Sequence, residues 1–385
     1  MARPAHLLLC ITVCATVSHA QTGNSAPRRM TLDATPSVSI TDDGTPEHQF
    51  TRIAARRLSN GAFVIGDLDA FEVRLFDERG TYLRRLASRG KGPGEVPGPY
   101  NLVVSNDTIF LFGIPPFAPA NVQVYSAAGY ISALPPLMDN GFTIQVMDRL
   151  ANGRLLVTRG TSGRVLSTPP VVGQLVADST RFGVRDGRSD VSSVVWLPSV
   201  VSQWMVGHPW PRGRLPSTLS TYVNRPASIV AASSNRLWIV HSENGVVEIR
   251  DDTGREIKTV RLPGSTGPFD RTQLNVRRSR AYRSATRALD SARADVMADP
   301  AILPKQMPYV SSATPGIDGE IWLTRFSIDE TAPKQLLVLN RDGTAIGELS
   351  IPPGLEIHQI GKDFVLGIRR DDDGLVSVVM HRLLR

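Results

Sequence analysis

"NGAFVIGDLDAFEVRLFDERGTYLRRL", Asn60 to Leu86, carries the repeat from which the rest of the chain is read. It opens on an Asn-Gly turn and runs into the apolar strand Ala62–Ile65. A second strand alternates, with Val73 and Leu75 on one face and Arg74 and Phe76 on the other. "DERG", Asp77 to Gly80, supplies a tight turn whose glycine reaches positive φ at low cost, and a third strand follows.

The same sequence of events recurs along the chain. It is seen in "NDTIFLFG…NVQVYSAAGYISAL" from Asn106 and in "NGRLLVTRG" from Asn152. It returns in "NRLWIVHSENGVVEIRDDTGREIKTVRLP" from Asn235, in "DGEIWLTRF…KQLLVLNRDGTAIGELSIP" from Asp318, and in the closing stretch from Lys362. A further strand precedes several units: "FTRIAARRLS" the first, "FTIQVMDRLA" the third, "ASIVAASS" the fourth. The outer strands of the third unit are expected within Val171 to Val201.

Units of this size cannot bury both faces alone, so they must stack on one another. Radial stacking also removes exposed sheet edges. The expected fold class is therefore all-β: a six-bladed β-propeller of four-stranded antiparallel blades. The last unit lacks a fourth strand, and the N-terminal "TLDATPSVSI", Thr31 to Ile40, has a strand pattern without a partner. Pairing of the two is expected to latch the ring. Residues 21–30 are expected to be a flexible linker and 31–385 the propeller.

Between the first and second units lies "RGKGPGE", Arg89 to Glu95. It fails the P-loop pattern because Gly92 follows Lys91, and the glycine spacing fails the dinucleotide fingerprint. It reads as a crossover, with Glu95 bonding backbone amides. The alternative is an anion site on Arg89 and Lys91 at the channel mouth. With this run placed after the first complete blade, the chain resembles exported bacterial six-bladed β-propellers of the NHL and TolB-like kind. The resemblance covers nearly all of the chain after its first residues and implies the fold; it fixes no activity.

Arg3, the apolar run Leu7–Val17 and "SHA", Ser18 to Ala20, form a secretory signal with cleavage expected after Ala20. Residues 1–20 contain both cysteines, Cys10 and Cys14, so neither disulfides nor thiolate metal sites are expected in the exported product. A secreted or periplasmic location follows. No later segment has the length of a transmembrane helix. The net charge is +7, almost entirely from arginine. Those arginines are dispersed, without the interleaved aromatics of a base-stacking surface, which argues against nucleic acid.

The acid pairs and triple at Asp42–Asp43, Asp251–Asp252 and Asp371–Asp373 all precede glycine and read as solvated turns, not as an EF-hand. No two histidines have metal-ligand spacing and no G-x-S-x-G elbow occurs. His241, after "LWIV", is a candidate to face the channel. Trp238 and Trp322 hold equivalent positions and are expected in the inter-blade core. Trp204 and Trp210 lie with Trp196 in the Pro-rich "VVWLPSVVSQWMVGHPWPRGRLP", read either as a binding loop with aromatic anchors or as an outer strand plus linker. Asn275 to Ala298 has helical spacing at Tyr282, Ala285, Leu289, Ala292 and Val296 among six arginines, and is expected to be an inserted amphipathic helix.

The functional expectation is a binding scaffold, with a small-molecule or protein partner held by Arg89, Lys91, Glu95, Trp204 and Trp210. A monomer is expected, and no cofactor. The alternative is a metal-dependent hydrolase or lyase of the lactonase kind with calcium in the channel, whose scattered ligands a single sequence does not reveal.

Overall fold

A computed structural model describes residues 27–114, 121–139, 142–159, 175–186, 191–203, 228–264 and most of 306–385, with scattered residues between 266 and 279. These residues are all-β apart from a few helical positions near Arg271 and Asn275.

The chain begins with two short strands, β1 (Arg28–Leu32) and β2 (Val38–Thr41), whose partners lie at the other end of the sequence. The first complete sheet is a meander of β3 (Ile53–Arg57), β4 (Phe63–Asp67), β5 (Glu72–Phe76) and β6 (Tyr82–Arg89), extended by the two-residue β7 (Glu95–Val96) in parallel with β6. A second meander contains β8 (Tyr100–Ser105), β9 (Thr108–Gly113), β10 (Val122–Ser126) and β11 (Gly129–Leu134). A small hairpin follows, β12 (Met138–Asp139) with β13 (Phe142–Thr143).

The third meander is β14 (Gln145–Arg149), β15 (Leu155–Arg159), β16 (Leu175–Arg185) and β17 (Ser192–Gln203). The fourth is β18 (Ile229–Ser233), β19 (Arg236–His241), β20 (Val246–Asp251) and β21 (Glu256–Arg261). The fifth runs through β22 (Val310–Pro315), β23 (Ile321–Arg325), β24 (Lys334–Leu339) and β25 (Ala345–Ile351). The chain closes with β26 (Leu355–Ile360), β27 (Phe364–Arg370) and β28 (Val376–Leu384). Here β2 pairs antiparallel with β28, Val38 opposite Met380 and Ile40 opposite Val378.

The third-to-fourth strand turns explain the recurring Asp and Asn. Asp77 Oδ1 accepts the Arg79 and Thr81 amides at 2.9 and 2.7 Å. Asp251 Oδ1 does the same with Thr253 and Arg255, and Asn340 Oδ1 with Asp342 and Thr344. The side chain thereby satisfies amides that the reversal removes from the ladder. Hydrogen bonds, the Thr81 amide foremost, hold the Asp77 carboxyl below its ordinary range. The acidic turns are structural, as their sequence implies.

Among the described residues six apolar clusters hold the sheets together, and each is shared by two of them. Leu75 and Val64 of the first sheet meet Leu102 and Ile109 of the second. Val124 meets Val157, and Leu156 of the third sheet meets Leu237 of the fourth. Trp238 and Val240 meet Leu323 and Leu337, and Trp322 and Val338 meet Val365 and Val379. Finally Leu366 and Val378 of the last strands meet Ile65 and Phe76 of the first sheet, so the succession returns to its start. Trp238 and Trp322 are fully buried in these clusters, as their equivalent positions predicted.

The N-terminal segment does more than the expected single strand. β1 runs parallel to β25 over Arg28–Met30, then pairs antiparallel with the end of β28. It starts inside the stretch expected to be linker, because Met30 is buried in the cluster shared by β24, β25 and β27.

Candidate functional site

The first strands of successive sheets lie side by side: β8 with β14, β14 with β18, β18 with β22, β22 with β26, and β26 with β3. Each such strand has one edge outside its own ladder, and on β3 and β14 side chains of a neighbouring first strand cap it. His358 Nδ1 accepts the Ala55 amide at 3.0 Å, and Gln359 Oε1 accepts the Arg57 amide at 2.6 Å. Asn101 donates to the Val146 carbonyl at 2.8 Å. Because the amide must donate, His358 Nδ1 is the acceptor and its ring carries its hydrogen on Nε2. That nitrogen faces Glu356 Oε1 at 3.7 Å.

Arg56 and Asp148 occupy the same place in two such strands, the fourth position of β3 and of β14. The flanking contacts repeat as well. Arg57 lies 4.9 Å over the ring of Phe364, and Arg149 lies 4.7 Å over the ring of Phe110. Each of these arginines thus stacks on the second strand of the preceding sheet. Arg56 Nη1 donates to the carbonyls of Ala55 and His358, both at 2.9 Å. Asp148 Oδ1 accepts the Arg149 amide at 2.7 Å. Burial pulls the Arg56 guanidinium below its ordinary value, with Asp148 acting against the shift. Burial likewise pushes the Asp148 carboxyl up, opposed by the Arg149 amide and the Arg56 cation. Each charge feels the other, and neither is fully compensated.

Arg89, Lys91 and Glu95 lie at the opposite end of the first strands, where β8 begins. Glu95 Oε2 accepts the Gly92 amide at 2.7 Å, and the Glu95 amide donates to the Gly92 carbonyl at 3.1 Å. Arg89 sits 5.2 Å over Phe71. A methyl group on Gly90 would collide with the Glu95 carboxylate, and one on Gly94 would meet Tyr130. The glycines therefore serve a folded crossover, while Lys91 and Arg89 are exposed beside it. Trp204 and Trp210 lie outside the described residues, as does nearly all of the helix expected over 275–298; Asn275, Val276 and Ser279 within it are helical.

His241 Nε2 donates to Glu248 Oε1 at 2.8 Å, and Ser228 Oγ lies 3.4 Å from Nδ1. Glu248 also accepts Arg250 Nη2 at 2.6 Å. Burial raises the Glu248 carboxyl, but its bonds to Arg250 and His241 prevail and hold it below the usual range. His241 shares a strand face with Leu237, which packs toward the third sheet. This network ties β19 to β20 and to the residue before β18, within the fourth sheet. Among the described residues no three His, Cys, Asp or Glu side chains converge as a metal site requires. No described helix is long and apolar enough to cross a membrane.

Arg56 and Asp148 had a legible signal: "AARRLSNG" and "VMDRLANG" align residue for residue through the Asn-Gly turn. Only their superposition shows that opposite charges fall at one position.

No family model matches the sequence, and no curated protein matches it. Among solved structures the chain is similar to an exported protein of Bacteroides fragilis, with 12% identity over 92% of this chain and 95% of that one, at a TM-score of 0.48. It is similar to virginiamycin B lyase of Staphylococcus aureus, with 9% identity over 93% and 100% of the two chains and a TM-score of 0.43. It is also similar to the calcium-binding protein regucalcin of Agrobacterium tumefaciens, with 11% identity over 94% and 98% and a TM-score of 0.41. With likeness this distant, the architecture rests on the strand pairing and shared cores above.

Proposed function

We propose that this chain is an exported six-bladed β-propeller that binds a ligand on the axis of the ring. The cyclic succession of shared cores and the pairing of β2 with β28 support the six-bladed reading. The segment Leu7–Val17 followed by Ser18–Ala20 supports export, with a secreted or periplasmic product after cleavage near Ala20.

One observation carries the binding reading: the axial row contains half-buried charged groups with hydrogen-bonding capacity left over. Arg56 uses Nη1 on two backbone carbonyls. Its Nε and Nη2 have no protein acceptor among the described residues. The ring nitrogen of His358 that would serve as a base is spent on the Ala55 amide. A rigid frame with spare, oriented polar groups binds at low reorganisation cost.

Thermal unfolding in calcium and in EDTA tests this against the metal-dependent alternative. Equal melting temperatures are expected. A calcium-raised melting temperature together with chelator-sensitive hydrolysis of lactones would overturn the binding reading.

A further inference from the structure

We infer that the axial site takes a small zwitterion, its carboxylate on Arg56 and its ammonium on Asp148. The inference rests on the binding reading above and names the chemistry of the ligand.

Arg56 and Asp148 stand at equivalent positions of the first and third sheets, which are not neighbours. They are not joined to each other by an ion pair. The second sheet's β8 packs beside β14, and its Asn101 is spent on the Val146 carbonyl. Arg56 is held in place by its bonds to Ala55 and His358, so its guanidinium fork is fixed before any ligand arrives. Nε and one edge of Nη2 form the two-pronged donor that a carboxylate matches. Asp148 is oriented by the Arg149 amide on Oδ1, which leaves Oδ2 as an acceptor.

The equivalent arginines Arg57 and Arg149 are stacked on Phe364 and Phe110. They are therefore directed to the sheet interfaces, leaving one cation and one anion at this level among the described residues. Half-buried charges of opposite sign that do not touch are partly desolvated without compensation, and a ligand bearing both complementary charges compensates both. An anion alone satisfies Arg56 and is repelled by Asp148; a cation alone has the reverse difficulty.

The probes are glycine, β-alanine, 4-aminobutyrate and 6-aminohexanoate, with acetate and methylammonium as single-charge controls. Each is titrated calorimetrically into the full chain at matched ionic strength. At least one of the amino acids is expected to bind about tenfold or more tightly than either control. Arg56→Gln and Asp148→Asn should each weaken that binding by about tenfold or more, the loss expected for removing a charged hydrogen-bond partner. Arg79→Ala, exposed in the turn between β5 and β6, should leave it unchanged.

Absence of binding by the whole series, acetate binding as tightly as the amino acids, or undiminished affinity in Asp148→Asn would each overturn the assignment. If Arg56→Gln loses its native near-UV circular dichroism, Asp148→Asn decides the matter, because it keeps the shape of the side chain. Failure of the binding reading itself has a different readout, the calcium-dependent melting described above, which none of these titrations involves.

Discussion

Ser37 and Met380 are hydrogen-bonded twice, the Ser37 amide at 2.7 Å and its hydroxyl at 3.0 Å from the same carbonyl, across 343 positions of sequence. Nearby, Ile40 is buried against Phe76 and Val378. Pairing of β2 with β28 covers an edge that the last strands of the chain would otherwise leave open.

Ile40→Ala is therefore expected to cost about 2–5 kcal/mol, as for other large-to-small core changes. Ile40→Asp, which places a charge there, should cost more and expose β28 to self-association. Urea unfolding and analytical ultracentrifugation measure both. Unchanged stability in Ile40→Asp would show that the latch is dispensable.

At the Arg89–Glu95 crossover, Gly94 has φ 76°. A side chain there is strained, so Gly94→Ala is expected to lower stability by about 1–2 kcal/mol. Lys91→Ala, on the exposed side of the same loop, should fall within about 0.5 kcal/mol of wild type. Comparable losses at the two positions would contradict the division of roles.

Burial raises the Asp148 carboxyl, with Arg149 and Arg56 opposing. A group whose folded pKa lies above its unfolded value contributes stability below the unfolded value and loses it as pH rises through the folded one. At neutral pH the ionised Asp148 is a burden. Asp148→Asn is expected to stabilise the protein at pH 7, by on the order of 1 kcal/mol, and to lose that advantage below the ordinary aspartate range. Melting temperatures of both proteins across pH 3–8 read this directly, and an advantage that grew at low pH would invert the sign.

Arg385 donates to Glu320 Oε1 at 2.6 Å and lies 5.4 Å over Trp322, whose Nε1 donates to Glu320 Oε2 at 3.1 Å. Glu320 is buried, so removing its cation leaves a charge largely uncompensated. Arg385→Ala should destabilise by about 1–3 kcal/mol, visible in denaturant unfolding. Glu320→Gln in the Arg385→Ala background should recover part of the loss, since a neutral amide needs no counter-charge. A double variant no better than the single one would remove the ion pair from the account.

Local chemistry made much of this protein legible in its sequence. The Asp and Asn turns, the alternation of Val73, Arg74, Leu75 and Phe76, and the paired tryptophans each encode a hairpin whose rules act within a few residues. The crossover at Arg89–Glu95 was legible for the same reason, down to the Glu95 bond to a backbone amide. The unpaired strand pattern before Ile40 pointed to the latch. The second contact, β1 against β25, was not visible, because a five-residue strand such as Arg28–Leu32 has no period long enough to read.

For Arg56 and Asp148, the aligned segments show equivalent positions, but the tertiary structure decides what those positions do. Arg56 and Asp148 are ordinary charged residues in their own segments, and nothing within either segment makes them costly. Packing of the first strands does so, through the desolvation that shifts both groups. The sequence determined the repeating hairpins, since hydrogen bonding and alternation are short-range; stacking decided which of their side chains lost water together.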